Sequence, residues 1–330
     1  MKRKILILSI MMLCLLSVSA FIYASNQQDM KDKKIVINGD FILTDDNYEK
    51  AKSIEVVKGN LKINTTKIAS MPNLKEVVGI FYTGKKAKRD LQIVSFPLLE
   101  TVSILYFESL DNLKEINMPN LKTIKGELHV ARNFKLKQIN FHQLKEIQGS
   151  NGNGINIEYN DNLEGINLPR LQYVGGYINI HENYDLKELD FSHLKKVNKF
   201  LDLISCNNIN YLNLKSLKKV GGLTINGTKI DTLQLNNLKS VGSFGIWDND
   251  FKAVNLPQLN TIKYSFSIRW NDNLEIIYAP KLMKIGTNLD NDSIIADENK
   301  RTDVLIEVNK IPKYKGTIKN AKFKIIRKEE

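Results

Sequence analysis

The fold of this chain is decided by a repeated phrase, clearest at Leu163-Glu-Gly-Ile166-Asn-Leu168-Pro169-Arg-Leu171-Gln-Tyr-Val174-Gly175-Gly176. Its most regular part is a leucine followed three residues later by valine or isoleucine. This leucine recurs at Leu74, Leu99, Leu121, Leu144, Leu171, Leu194, Leu217, Leu238, Leu259 and Leu282. Spacings of 21 to 27 residues separate successive copies, and a branched residue follows every one. A period of this length predicts structural units that stack on one another.

Each unit predicts short strands joined by tight corners. Apolar residues at alternate positions, such as Ile178 and Ile180, predict strands with one face turned inward. Glycines after the branched residue, such as Gly126 and Gly175, predict the corners. Because no segment keeps a helical period for long, the sequence predicts an all-β fold. We expect a parallel β-solenoid of about ten coils, each of about 23 residues, around one core.

One corner of the predicted coil carries a recurring polar residue. Three residues after a strand's second apolar residue stand Asn133, Asn160, Asn183, Asn249 and Asn271, and Cys206 takes the same slot. An amide can both donate to and accept from backbone groups at a buried corner, so we assign these six residues a structural role. A reactive Cys206 thiol is the alternative. Nothing nearby in the sequence would lower its pKa.

The N-terminus predicts export. Lys2, Arg3 and Lys4 precede an apolar run from Ile5 to about Tyr23, with small residues in a cleavage pattern at Val18-Ser19-Ala20 or Ile22-Tyr23-Ala24. This is typical of a signal peptide, predicted over residues 1–24. We expect a secreted, periplasmic or cell-surface protein. An uncleaved N-terminal anchor is the alternative, because the apolar run approaches membrane-spanning length.

Charge and domain organisation complete the outline. Removing the three N-terminal cations lowers the formal net charge from +12 to +9, and +5 of that lies in residues 311–330. This tail predicts contact with an anionic envelope surface, and we expect no nucleic acid partner. We predict an N-terminal cap over 25–60 with a helix from Thr44 to Lys52, a solenoid over 61–290, and a C-terminal cap and basic tail over 291–330. Within the latter, Val304–Val308 predicts a strand.

The repeat resembles a leucine-rich repeat, and more closely the receptor L domain of the insulin and epidermal growth factor receptor ectodomains. The resemblance covers roughly residues 35–290. The phrase at 163–176 is also similar to repeats of bacterial surface leucine-rich proteins, in which Asn or Cys takes the corner slot. It implies a right-handed parallel β-solenoid that binds ligand on a sheet face or on its end coils. The cysteine-rich modules of the receptors are missing, so receptor signalling is not implied.

Strand alternation assigns a stripe of outward residues. It contains the large apolar or aromatic side chains Tyr177, Phe200, Ile204 and Trp247, with the polar residues Asn179, His181, Asp202 and Arg269 beside them. Exposed aromatic clusters with a polar rim are typical of protein and sugar interfaces. We therefore interpret the chain as a non-enzymatic binding module for a protein or glycan ligand. A loop or the tail covering this stripe is the alternative.

A carbohydrate-active β-solenoid enzyme is the alternative function. Such enzymes gather carboxylates in a groove, and Glu158 and Asp202 are expected two coils apart, about 9–10 Å at the usual strand spacing. The histidines are scattered over different coils, and no phosphate loop, dinucleotide fingerprint or serine-hydrolase motif occurs. We assign no catalytic residue, metal or cofactor. Asp248-Asn-Asp250 is interpreted as a turn rather than a calcium loop.

Two insertions interrupt the repeat, at residues 84–90 and 149–154. Both are predicted to enter between a glycine corner and the following strand, and so to project from the same edge. Insertions of this kind often mark a binding side. The first one, Gly84-Lys-Lys-Ala-Lys-Arg-Asp90, predicts contact with an anionic glycan, lipid headgroup or wall polymer; a solvated loop is the alternative.

Overall fold

A computed structural model describes residues 35–149, 153–286, 294–295, 304–314, 318–319 and 321–325. The predicted signal peptide lies outside these residues. The strand pairs are parallel, as the coil at β10 shows on both sides, where Thr123 pairs with Thr101 and with Glu146. The chain winds as a parallel β-solenoid of about 11 turns and is 4% helical. The predicted all-β solenoid is confirmed, with about one coil more than the leucine count indicated.

The described strands are β1 (Ile35–Ile37), β2 (Phe41–Leu43), β3 (Ile54–Val57), β4 (Leu61–Ile63), β5 (Lys67–Ser70), β6 (Glu76–Thr83), β7 (Leu91–Ser95), β8 (Thr101–Glu108), β9 (Glu115–Asn117), β10 (Thr123–Ile124), β11 (Leu128–Ala131), β12 (Gln138–Asn140), β13 (Glu146–Ile147), β14 (Ile155–Glu158), β15 (Gly165–Asn167), β16 (Tyr173–Val174), β17 (Ile178–His181), β18 (Glu188–Asp190), β19 (Lys196–Ile204), β20 (Tyr211–Asn213), β21 (Lys219–Asn226), β22 (Thr232–Gln234), β23 (Ser240–Trp247), β24 (Ala253–Asn255), β25 (Thr261–Ile262), β26 (Phe266–Arg269), β27 (Ile276–Tyr278), β28 (Lys284–Ile285), β29 (Ile294–Ile295), β30 (Val304–Val308), β31 (Lys313–Tyr314), β32 (Ile318–Lys319) and β33 (Ala321–Ile325). The described helices are α1 (Tyr48–Ala51) and α2 (Lys85–Asp90). Neither is long and apolar enough to cross a membrane.

Each complete coil has three faces. Strands such as β10 form face a, strands such as β11 form face b, and strands such as β12 form face c. Faces a and b belong to one sheet of 21 strands, because long strands such as β6, β8 and β19 turn the corner between them. Face c is divided into a seven-stranded sheet from β5 to β20 and a five-stranded sheet from β22 to β33.

The repeated apolar residues build the core. Leu171 and Val174 are fully buried, as are their counterparts in most other coils. Burying one such side chain contributes roughly 1.5–3 kcal/mol, so the solenoid gains stability coil by coil. In the N-terminal coils Phe81 contacts Phe96 and Phe107 edge to face, with ring centroids 4.7 and 5.4 Å apart.

The corner between faces b and c is held by a ladder of side-chain amides. Asn160 is fully buried, and its Nδ2 donates to the carbonyls of Val130 and Glu158, both at 3.0 Å. Its Oδ1 accepts from the backbone N–H of Asn133, one coil earlier, at 3.0 Å. Asn183, Asn249 and Asn271 donate to carbonyls in the same way, and the Cys206 thiol faces the Ile180 carbonyl at 3.7 Å.

This corner also forces an unusual backbone conformation. The residue before each rung is left-handed, as at Arg132, Tyr159, Glu182 and Asp248, with φ between 51° and 56°. A non-glycine residue pays roughly 1–2 kcal/mol for this conformation. The amide ladder offsets that cost, because it satisfies the backbone groups that the sharp turn leaves unpaired.

The predicted N-terminal helix is shorter than expected. Instead of running from Thr44 to Lys52, α1 is one turn long. Thr44 and Asn47 exchange hydrogen bonds, because each backbone N–H donates to the other side chain, at 2.9 and 3.3 Å. This exchange holds the preceding residues in a turn. α1 follows β2 and precedes β3, which is the face c position of the first coil, and a helical cap is not confirmed.

Strand pairing extends beyond the predicted solenoid range of 61–290. β1 pairs with β3 inside the predicted cap of residues 25–60. At the other end the predicted strand Val304–Val308 is present as β30, which pairs with β27 and with β33. Much of the predicted basic tail up to Ile325 is therefore strand.

The two insertions follow different faces of the coil in the order of the strands. α2 lies between β6, which spans faces a and b, and β7 on face c, so the basic insertion lies at the b–c corner. The insertion at 149–154 lies between β13 and β14, at the a–b corner. The prediction of a common edge is wrong, because β6 carries two faces in one strand. Lys86 of α2 contacts Asp45 of the first coil at 2.6 Å, and this ion pair holds the pKa of Asp45 below its usual value.

Candidate functional site

The predicted stripe lies on face b, in two adjacent rows. In the first row Asn179 pairs in register with Asp202. In the second row His181 pairs with Ile204, and Trp247 pairs with Arg269 three coils along. Tyr177 directly precedes β17, and Phe200 lies within β19 where that strand turns the a–b corner, so both precede these rows along the chain. The structure therefore brings all eight predicted residues to one surface.

Two aromatic rings lie flat on this surface because the sequence places glycine beneath them. A Cβ at Gly222 would lie 2.6 Å from the Phe200 ring, and one at Gly245 would lie 3.1 Å from the Trp247 indole. Trp247 also donates from Nε1 to Ser267 Oγ at 3.0 Å, which fixes its orientation. Phe200 remains 53% exposed, whereas Trp247, Tyr177 and Ile204 are half-buried. Face b thus presents flat, oriented rings to solvent.

Tyr177 and the polar side chains of the stripe are partly buried. The Tyr177 hydroxyl donates to Glu127 at 3.2 Å. Burial, together with Glu127, raises the pKa of Tyr177 to about 12. Burial also raises the pKa of Asp202, although the Thr224 hydroxyl and the nearby His181 act in the opposite direction. These groups are therefore held in place before any ligand arrives.

Face b continues into the coils that precede the predicted stripe. Tyr82 pairs in register with Tyr106, and Tyr106 pairs with His129. The Tyr106 and His129 rings are stacked, with centroids 4.3 Å apart and planes 7° apart. The same alternation that identified Asn179 applies to these residues, which lie outside the predicted stripe.

A charged cluster adjoins the stacked rings. The Tyr106 hydroxyl donates to Glu108, which also accepts from Arg132 at 2.8 Å. This hydrogen bond and burial raise the pKa of Tyr106 to about 12, and the same bond lowers the pKa of Glu108. Glu108 and Arg132 were not predicted, because they meet across coils 24 residues apart in sequence.

Three buried side-chain nitrogen atoms on this face have no hydrogen-bond partner among the described residues. They are Nε2 of His129, Nε2 of His181 and Nε of Arg269. The other ring nitrogen of His129 lies 3.2 Å from the Asn156 amide. An unpaired buried polar group costs about 1–3 kcal/mol. Residues that lower the stability of the fold in this way are expected at functional surfaces.

The carboxylate pair considered for an enzyme does not share a row. Glu158 is in register with His181, whereas Asp202 is in register with Asn179. Two coils and two residues therefore separate them, about 12 Å between Cα atoms rather than the expected 9–10 Å. Inverting glycosidases place their carboxyl groups about 6.5–9.5 Å apart. Among the residues with described positions, no group of three or more His, Cys, Asp or Glu converges on a metal site.

The three-faced coil, its amide corner and its aromatic outer face make up a parallel β-solenoid with a candidate binding surface. Residues 102–186, which contain the coils from β8 to β17, match the family model of the Receptor L domain. The resemblance to this family is thereby confirmed. Receptor L domains are binding domains rather than enzymes. No curated protein matches the chain.

Proposed function

We propose that the chain is an exported, non-enzymatic binding module and that face b is its ligand surface. A protein is the ligand that fits best, since the Receptor L domain match points to a ligand-binding module. The match includes Tyr106, His129 and Tyr177, so the matched segment contributes directly to face b. The observation that carries the proposal is the set of oriented aromatic rings, Phe200 over Gly222 and Trp247 over Gly245.

Preorganised aromatic side chains suit binding for a physical reason. Large rings supply most of the energy in protein interfaces, and rings already fixed in place lose little entropy when a partner docks. Trp247 is fixed by Ser267, and Tyr177 is fixed by Glu127. Arg132 stacks over the Tyr159 ring, 5.0 Å from its centroid, beside the same face.

An affinity capture experiment tests this proposal. The chain lacking residues 1–24 is immobilised and exposed to host and self envelope fractions, and captured proteins are identified. Trp247→Ala and Tyr177→Ala should each weaken binding of a captured protein by about 2 kcal/mol or more, as expected for buried aromatic anchors. Tyr211→Ala and Tyr278→Ala, which remove exposed rings on face c, serve as matched controls. Equal affinity of the stripe variants and the wild type would contradict the assignment of face b.

A glycan is the second candidate ligand, favoured by the flatness of the rings over Gly222 and Gly245. Glycan arrays separate the two candidates, because a glycan ligand requires binding to a defined sugar that Trp247→Ala abolishes. The carbohydrate-active enzyme has weaker support, given the separation of Glu158 and Asp202.

Export is part of the proposal and rests on the charged start and apolar run of residues 1–24. N-terminal sequencing of the protein recovered from culture medium and from envelope fractions tests it. A mature chain that begins near residue 21 or 25 is expected. Recovery of an intact Met1 chain from the membrane fraction would instead establish the uncleaved anchor, and recovery only from cytosol would refute export.

A further inference from the structure

Face a changes its chemistry along the solenoid. In the C-terminal half it carries exposed lysines, among them Lys196, Lys199, Lys219, Lys239, Lys263 and Lys284. Lys196 pairs in register directly with Lys219, so two like charges lie one strand spacing apart, about 4.8 Å between Cα atoms. Like charges directly opposite each other on a sheet are destabilising. The stability of the fold therefore does not explain why these two lysines lie opposite each other.

The N-terminal half of the same face shows how such lysines are usually balanced. There Lys75 pairs with Glu55 at 3.1 Å, and Lys122 pairs with Glu100 at 2.9 Å. Between Leu194 and Gly286 no carboxylate stands on face a, and within the described residues neither Lys219 nor Lys239 has an ion-pair partner. The charges of Lys219 and Lys239 are thus not balanced by a carboxylate of the described residues.

The lysines border a continuous shallow groove. Three clefts with volumes of about 420, 430 and 410 Å³ follow one another along this face. The first two share Gly221 and Tyr264, and the second and third share Thr261. Backbone approaches closely at Gly221, where a Cβ would lie 2.5 Å from the Lys199 carbonyl oxygen, so the floor is flat. We name this surface, from Lys199 to Ile311, the lysine groove.

We propose that the lysine groove binds a linear anionic polysaccharide whose sugars carry carboxylate or sulfate groups. Lys199, Lys219 and Lys284 each line one of the three clefts and supply the charge complementarity. Tyr264 stands at the junction of the first two clefts, and its ring holds the Lys263 ammonium, 4.7 Å from the ring centroid, at the edge of the second cleft. This site adjoins the ligand surface on face b at Phe200, which also lines the first cleft, and its lysines are not part of that surface.

The spacing of the groove distinguishes a glycan from an acidic peptide. Successive coils present their groups about every 4.8 Å, and the groove spans five such intervals, about 24 Å. An extended peptide advances about 3.3 Å per residue and presents one side only every 6.6 Å or so. Its carboxylates would drift out of register with the coils, whereas one pyranose unit of an extended glycan chain advances by nearly one coil.

The test compares binding of the mature chain to heparin, polygalacturonate, poly-glutamate and neutral dextran by titration at low and physiological salt. Heparin carries both sulfate and carboxylate, whereas polygalacturonate carries carboxylate alone, so binding to heparin without binding to polygalacturonate identifies sulfate as the required anion. We expect binding to at least one of them that weakens with salt, and none to dextran. The triple variant K199Q/K219Q/K284Q should weaken that binding about ten- to a hundredfold.

Matched variants locate the site and identify its ligand class. K85Q/K88Q/R89Q removes the same charge from α2 and should change the affinity less than threefold or so. Tyr264→Ala should reduce glycan affinity about tenfold, whereas Tyr211→Ala on face c should not.

If the groove triple variant and the α2 triple variant lost equal affinity, the lysine groove would not be the binding site. If poly-glutamate bound as tightly as the glycans, and Tyr264→Ala did not weaken its binding, the ligand would not be a polysaccharide. Failure to bind both heparin and polygalacturonate would also contradict the proposal. Trp247→Ala should leave polymer binding unchanged, so the face b proposal stands or falls separately.

Discussion

At the scale of single residues, the corner ladder shows what spacing alone can reveal. The position three residues after a strand's second apolar residue identified Asn160 and Asn183, and the structure places both amides against backbone groups of neighbouring coils. The same spacing places Thr228 in the ladder, where its hydroxyl donates to Asn249 at 2.8 Å. That rung was not predicted, because threonine is neither the asparagine nor the cysteine of the other rungs, although its hydroxyl can also donate a hydrogen bond to a neighbouring rung.

Replacing one rung should be costly. Asn160→Ala would leave the carbonyls of Val130 and Glu158 and the N–H of Asn133 without their partner. Each unsatisfied buried group costs about 1–3 kcal/mol, so we expect the free energy of unfolding to fall by about 3 kcal/mol or more. Urea denaturation followed by circular dichroism measures this change. Asn236→Ala, at an exposed position, should change it by less than about 0.5 kcal/mol, and similar losses in both variants would contradict a structural ladder.

Cys206 should be chemically silent in the folded protein. It is fully buried, and burial raises the pKa of its thiol to about 11. Since the thiolate is the reactive form, a native sample at pH 8 should react with a thiol reagent such as dithionitrobenzoate far more slowly than a urea-unfolded sample. Equal rates would show that the thiol is accessible and would revive the reactive alternative.

At the scale of elements, the sequence predicts strands well and insertions poorly. Alternating apolar residues define β14, β17 and β19, and the coil period then fixes their register, because a slip by one residue would turn the core outward. α2 was predicted only as an insertion, since a six-residue segment shows no helical period. The stripe on face b could be predicted residue by residue. That the Phe200 and Trp247 rings lie flat could not, because it depends on which rotamers the neighbouring coils allow.

The cluster beside β8 predicts a pH dependence of stability. Because the pKa of Tyr106 is about 12 in the folded protein and about 10 when unfolded, the fold favours the protonated phenol. The resulting stabilisation is complete below pH 10 and is lost as pH rises from 10 to 12. The free energy of unfolding should therefore fall less steeply across this range in Tyr106→Phe than in the wild type.

Glu108→Gln is the partner control for this titration, since the hydrogen bond to Glu108 is the largest cause of the shift. This variant should also flatten the pH dependence between pH 10 and 12. Identical profiles for the wild type and both variants would show that the Tyr106–Glu108 contact does not persist in solution.

At the scale of the whole molecule, the strands of each coil pair only with strands of the coils immediately before and after it. The Leu171 side chain belongs to a core that runs through every coil, but strands of its own coil pair only with those immediately before and after, as β16 pairs with β13 and β19. Stability in such a molecule approximates a sum of coil and interface terms. Faces b and a can therefore carry separate binding surfaces on one scaffold, because a change on one face leaves the register of the other intact.

This architecture predicts that a cavity in one coil acts locally. Leu171→Ala removes a fully buried side chain and should cost about 2–5 kcal/mol. Because each coil contacts only its neighbours, hydrogen–deuterium exchange should accelerate most between residues 144 and 197, and much less in the coils near Leu61 and Ile277. Met283→Ala, at a position that is 62% exposed, should leave exchange unchanged throughout. Uniform acceleration along the chain after Leu171→Ala would mean that the solenoid unfolds as one cooperative unit, and the faces would then be coupled rather than independent.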